Sequence, residues 1–264
     1  MSDNMSLRLL QMKKILFAFS LIALLFVSCS KNSEVVKMGT NAAFPPFEYT
    51  EGSEIVGFDV TVSELIARDY GKKLKVVDMS FDGLIAALQA GSIDFIAAGM
   101  TATEERRKNV DFSEPYYSSK QTIIVRANTN NVSTVADLKG KSIGVQSGTT
   151  GEIYATEEVE NASVKSFKTG IDAALALKNG AIDSIILDEL PAKEIVRRNS
   201  ELKIIEDDFF TDEYAIAVKK GNTKLLESIN KTILKIKEDG TYQKLLNAFM
   251  PVDGEIKVLS VEDL

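Results

Sequence analysis

Three short segments hold residue types that could recognise a small charged molecule. GMTATEERRK, residues 99–108, sets threonines before a charged run. Thr101 or Thr103 can cap a short helix there, and Glu104 follows Thr101 at capping-box spacing. A helix start offers free N–H groups to an anion, and Arg106 on its first turn can hold a carboxylate through two parallel bonds. Glu105, Arg107 and Lys108 suit the solvated face of the same turn. QSGTTG, residues 146–151, combines glycine and hydroxyl residues just ahead of the helical EIYATEE. It is a second exposed helix start, without the GxxxxGK[ST] spacing of a nucleotide-phosphate loop. The third segment is IDSIILD, which ends an apolar run at Asp188. An isolated acid there is placed for a partner rather than for a core. Its neighbour Glu189 would point the other way if the strand continued.

Composition limits what these groups can do. The chain of 264 residues has no histidine, so the commonest general base and the commonest metal ligand are both missing. Cys29 is the single cysteine, which rules out an intrachain disulfide and a thiolate metal site. No GxSxG or metal-ligand spacing occurs, so no catalytic residue, metal or cofactor is expected. A net charge of -7 argues against nucleic acid as a partner.

The elements that must position these residues alternate. VVKMGT, LKVVDM, IDFIAAG, KSIGVQ, IDSIILD and YAIAVK read as strands. TVSELIARDYG, DGLIAALQAG, GIDAALALKNG and PAKEIVRRN read as helices between them. Two more helices, NTKLLESINKTILKIKEDG and TYQKLLNAFM, follow near the C-terminus. This order predicts an α/β fold with parallel sheets covered by helices. Ahead of it, Lys13 and Lys14 precede an apolar run from Ile15 to Val27, too short to span a bilayer but suited to a signal-peptide core. Ser28–Cys29 then resembles a lipobox. Residues 1–28 are expected to be a signal peptide, and residues 29–34 a lipidated cysteine with its tether. The late signal core leaves Met12 open as the true start.

An internal repeat divides the remainder. ALQAGSIDFIAAG (87–99) aligns without gaps on ALKNGAIDSIILD (176–188), and MGTN (38–41) echoes IGVQ (143–146). Each copy is helix, glycine stop and buried strand, which predicts two lobes of similar design. Ligands of open α/β sheets sit beyond the carboxyl ends of the strands. The matched ends are Gly99 and Asp188, and Asn41 and Gln146.

The ordered segments GTNAAFPPFEY, VGFDV, FDGLIAALQAGSIDFIAAGMTATEERRKNVDFSEPYY, DLKGKSIGVQSGTTG and YAIAVKKGN resemble the polar amino-acid-binding family of bacterial extracytoplasmic solute-binding proteins. The likeness runs from about Val35 to Met250. It implies a two-lobe periplasmic-binding-protein fold of type II, with two crossover strands (Tyr116–Lys120 and Asp212–Ile216) and a cleft that closes by a hinge. Lobe 1 is expected over 35–118 plus 217–264 and lobe 2 over 119–216. The resemblance implies that Arg106, Thr101 and Thr150 bind a ligand carboxylate, and that Asp188 and the carbonyl of Gly99 bind its ammonium. It places Phe44 and Phe81 on either side of the ligand, with Asn41 and Gln146 at its side chain. Phe47 and Phe58 are expected in the core. Asn41 stands where many relatives have an acid, and Gln146 where the glutamine receptor has a lysine, so the amino acid stays open. Glu48 and Glu51 remain possible acids for a basic ligand.

The implied function is a monomeric, lipid-anchored receptor that hands a free amino acid to an ABC-type permease. An extracytoplasmic dehydratase-like enzyme on the same fold and a sensory ligand-binding protein are the alternatives. The first needs a general acid and base aimed at a substrate. The second needs a membrane segment or a partner that reads it.

Overall fold

The computed structural model describes residues 34–207, 209–251 and 255–264. The expected leader and the Cys29 lipidation site lie outside the described residues. From Val35 on, the chain forms β1 (Val35–Thr40), β2 (Ala43–Phe44), β3 (Glu48–Glu51), β4 (Glu54–Val56), β5 (Lys73–Asp78), β6 (Phe95–Ile96) and β7 (Val110–Phe112). It continues with β8 (Tyr117–Arg126), β9 (Ser142–Gln146), β10 (Ser163–Phe167), β11 (Ser184–Asp188), β12 (Leu202–Ile205), β13 (Thr211–Tyr214) and β14 (Ala217–Lys219).

Two main sheets result. The first runs β5-β1-β6-β14-β7 and the second β10-β9-β11-β8-β12. Each has a parallel centre: β1 lies parallel to β5 and β6, and β9 to β10 and β11. The sheets are mixed rather than wholly parallel. Strand β14 runs antiparallel to β6 and β7, and β8 antiparallel to β11 and β12. The reason lies in connectivity: these strands enter directly from the other sheet, without the covering helix that returns a chain in the parallel sense. The long β8 pairs with β13 over Tyr117–Lys120 before it joins the second sheet, and the chain returns from β13 to β14. YAIAVK is therefore two strands, not one.

The repeat is physical. In both copies a glycine at positive φ ends the helix, Gly91 at 74° and Gly180 at 73°. Asp94 and Asp183 follow at matched places. The Asp94 carboxylate accepts from Lys37 N–H at 2.7 Å, and that of Asp183 from Ser142 N–H at 2.9 Å. Ile93 packs into the notch at Gly39 and Ile182 into the notch at Gly144. A Cβ on Gly39 would lie 2.2 Å from Ile93 Cδ1, and on Gly144 2.4 Å from Ile182 Cδ1. Helix and strand are thus locked at one height in both sheets, which sets where the strand ends fall.

The expected helix TVSELIARDY starts earlier, at Phe58, directly behind Gly57 at φ 135°. Phe58 opens it and is fully buried, as is Phe47. The two rings meet edge to face at 6.3 Å, and Tyr116, Tyr242 and Phe249 surround Phe58. Truncating such a ring removes about 3–5 kcal/mol of stability. The cluster joins the start of β8 to the terminal helix Thr241–Phe249. It anchors the chain where it crosses between sheets.

Candidate functional site

All nine sequence-derived positions line one cavity: Asn41, Phe44, Phe81, Gly99, Thr101, Arg106, Gln146, Thr150 and Asp188. Glu48, Ala98 and Thr149 complete the lining. The free volume among these side chains is about 20 Å³, room for little more than a water. Its walls come from the carboxyl ends of strands in both sheets, as open α/β sheets dictate.

Arg106 is 8% exposed and sits on the one-turn helix Glu104–Arg107. Thr103, not Thr101, caps that turn, accepting from Arg106 N–H. The guanidinium donates to the Thr101 carbonyl at 2.7 Å and to the Gly148 carbonyl at 2.8 Å, so it links the two sides of the cavity. It lies 5.4 Å from the Phe81 ring, within cation–π range. Burial lowers its pKa to about 10, against the upward pull of Asp212 and Asp188, so it stays charged at neutral pH. Glu105 and Lys108 form an exposed ion pair, and Arg107 lies over Phe112 outside the cavity.

Asp188 is 7% exposed and accepts a hydrogen bond from the Tyr214 hydroxyl. Burial pushes its carboxyl up to about 6, and Asp212 adds to this, while Tyr214, Gln121 and Ser119 pull it back. Such a carboxylate is stabilised by a cation brought to it. Glu189 begins the helix Glu189–Arg197 and pairs with Lys193 at 2.6 Å, away from the cavity.

The helix Thr150–Glu157 is capped at its start by Thr149, whose side chain accepts from Glu152 N–H. The Thr150 hydroxyl donates to Asp212 at 2.8 Å, and Gln121 donates to the same carboxylate at 2.8 Å. That proton is therefore committed to Asp212. Across the cavity, Gln146 donates to Asn41 at 2.9 Å, and Asn41 donates to the Met79 carbonyl at 3.0 Å. The pair matched by the echo at 38–41 and 143–146 thus meets side chain to side chain.

Gly99 lies at φ 53°, where a Cβ would come 2.9 Å from the Phe44 ring. Glycine is required there on both counts. Its N–H donates to Asp59 at 3.0 Å, and the same carboxylate oxygen accepts from the Tyr116 hydroxyl at 2.6 Å. Glu48 lies against Asp59, is 1% exposed, and lines the cavity, whereas Glu51 is exposed. Sequence reasoning did not single out Asp59, Tyr116, Tyr214, Gln121, Thr149 or the Asp212 carboxylate as site groups. Asp59, Gln121 and Asp212 are buried polar residues whose partners lie far along the chain, so their own segments carry no mark of the site.

Residues 36–252 match the model of the bacterial extracellular solute-binding proteins, family 3. The "Probable histidine-binding protein" of Campylobacter jejuni is 37% identical over 254 residues, covering 90% of this chain and 99% of its own. The "ABC transporter arginine-binding protein 1" of Escherichia coli is 33% identical over 246 residues, covering 91% of this chain and 100% of its own. Among solved structures, an ancestral arginine-binding protein bound to arginine superposes with a TM-score of 0.79 at 40% identity, over 82% of this chain and 98% of that one. The fold is the type II two-lobe periplasmic-binding-protein fold, and the resemblance read from the ordered motifs holds. The chain belongs to the bacterial extracellular solute-binding proteins, family 3, and is a solute-binding protein rather than an enzyme.

Proposed function

We propose that this protein is the substrate-binding lipoprotein of an ABC-type amino-acid importer. It binds one free polar or basic amino acid between a lobe of residues 35–118 plus 217–264 and a lobe of residues 119–216. The observation that carries the reading is the cavity itself, which holds a buried guanidinium, Arg106, and a buried carboxylate, Asp188, on facing walls. A zwitterion supplies the complement to both. Arg106 takes the ligand carboxylate with Thr101 and the backbone N–H at Thr150, because the Thr150 hydroxyl is held by Asp212. Asp188 and the Gly99 carbonyl take the ammonium. Phe44 and Phe81 flank the ligand, and Asn41 and Gln146 meet its side chain.

Histidine- and arginine-binding relatives support an amino acid with a nitrogenous side chain. Because the walls come from both sheets, a ligand satisfies both charges only in the closed form and so favours closure by its differential contacts. The closed protein then engages the membrane permease as a monomer, held at the periplasmic or outer face by lipid on Cys29.

Thermal unfolding of the protein against the twenty free amino acids tests this, after carried-over ligand is removed by partial unfolding. A ligand at about 100 times its Kd stabilises by about 2.7 kcal/mol. The expected result is a large shift with one chemical group of amino acids. No shift with any of them, from folded protein, overturns the reading.

A further inference from the structure

Among the described residues, three ionisable side chains line the cavity: Arg106, Asp188 and Glu48. On the amino-acid reading above, the ligand's carboxylate and ammonium pair with the first two. Glu48 is left without a counterpart.

Its surroundings are acidic. Asp59 on the helix Phe58–Asp69 is its hydrogen-bonding neighbour, and Asp188 on β11 and Asp78 on β5 act on it at longer range. Tyr116 bonds Asp59 from the other side. Arg106, the cation of the cavity, is directed to the carbonyls of Thr101 and Gly148. Glu48 Oε2 and Asp59 Oδ1 find no donor among the described residues, though both are buried. A proton held between the two carboxyls gives each its missing partner. That proton belongs on Glu48, because Asp59 already accepts from Gly99 N–H and from Tyr116 and is thereby fixed as the acceptor. Burial, with the charge of Asp59 next, accordingly drives the Glu48 carboxyl well above the usual carboxylate range.

We propose that the Glu48–Asp59 pair is a proton-exchanging subsite that sets which charge class of side chain the cavity accepts. With its proton, Glu48 offers a neutral polar side chain a hydrogen-bonding wall. When a guanidinium or ammonium side chain enters, the O–H bond of Glu48 breaks, the proton passes to solvent, and the carboxylate left behind pairs with the cation. The ligand keeps its own proton, so binding of a basic amino acid releases a proton that binding of a neutral one does not. A buried pair that is only structural would keep its proton with either ligand.

Titration calorimetry with L-arginine and with L-citrulline, its neutral counterpart of like shape, separates the two. The measurement uses the intact protein in buffers of different ionisation enthalpy between pH 5.5 and 8. Asp188 titrates under both ligands, so their difference isolates the Glu48–Asp59 pair, and the Glu48→Gln variant separates its two members. The expected result is an excess release of up to about one proton with arginine. The arginine-to-citrulline affinity ratio should rise about tenfold per pH unit while the pair holds its proton. Glu48→Gln should remove the excess release and lower that ratio at least tenfold. Equal proton counts for the two ligands overturn the proposal on the unsubstituted protein alone, whatever the variant does. An unchanged ratio in folded Glu48→Gln overturns it as well. If neither ligand binds, this subsite is wrong, and the amino-acid reading stands or falls separately on the twenty-ligand unfolding screen.

Discussion

The two copies of the helix–glycine–strand unit share a scaffold and differ at its tip. Both stop the helix at a left-handed glycine, both tie an aspartate to the N–H of the neighbouring strand, and both seat an isoleucine in a glycine notch. The first copy then ends at Gly99, a residue without a side chain, with the acid one step behind it at Asp59. The second ends at Asp188, whose carboxylate reaches the cavity itself. A common framework therefore delivers a backbone group from one side and a charge from the other. Position is set by the shared packing, while the chemistry is set by one residue at each end.

The largest expected effect comes from removing the charges that face the ligand. Arg106→Ala and Asp188→Asn should each weaken binding of the cognate amino acid at least a hundredfold, since charge-assisted bonds contribute roughly 1.5–3 kcal/mol each and their buried partners are left unpaired. Calorimetry reads the loss, and an unchanged circular dichroism spectrum separates it from unfolding. Normal affinity in either variant would sink the site assignment.

Next is the response of the unliganded protein to pH. The carboxyls of Asp188 and Asp59 are both pushed up to about 6, chiefly by burial. Their folded values lie above the unfolded ones, so the folded state binds more protons in the interval between. Stability is fully present below about pH 4 and is lost as pH rises through about 6, by up to about 3 kcal/mol per group. Tm of the ligand-free protein should fall between pH 5 and 7. Asp188→Asn should flatten part of that fall, leaving the part due to the first copy's acid. A Tm that climbs over the same interval contradicts the account.

The shared scaffold makes a matched pair of predictions of about 1–3 kcal/mol. Gly39→Ala and Gly144→Ala each press a methyl on an isoleucine tip, and overpacking of this kind destabilises by that amount. Denaturant midpoints should fall by similar amounts in the two. Loss in one variant alone would show that the copies are not equivalent. The smallest effect belongs to the bridge between the strand ends. Gln146→Ala removes a neutral hydrogen bond to Asn41, about 1 kcal/mol, and should change ligand preference more than stability. A large fall in Tm in this variant would mean that the bridge holds the two walls together on its own.

The sequence by itself determined the alternation of elements, the repeat and its glycine stops, and the tips at Gly99, Asp188, Asn41 and Gln146. Those signals are local: helical and strand periodicity, a left-handed glycine, an acid closing an apolar run. Local signals also left errors. The parallel reading of the sheets missed β8 and β14, because the sense of a strand depends on where its chain comes from, not on its residues. YAIAVK read as one strand because its apolar run is unbroken, although its first residue pairs with β8 and its last three with β6 and β7. The tertiary structure alone decided which polar residues share the buried space behind the cavity. Asp212 and Gln121 are 91 residues apart, and Asp59 and Tyr116 are 57 apart. Nothing in their own segments marks them as partners. Burial couples them, because a carboxylate withdrawn from water must find donors or a proton wherever the fold brings them.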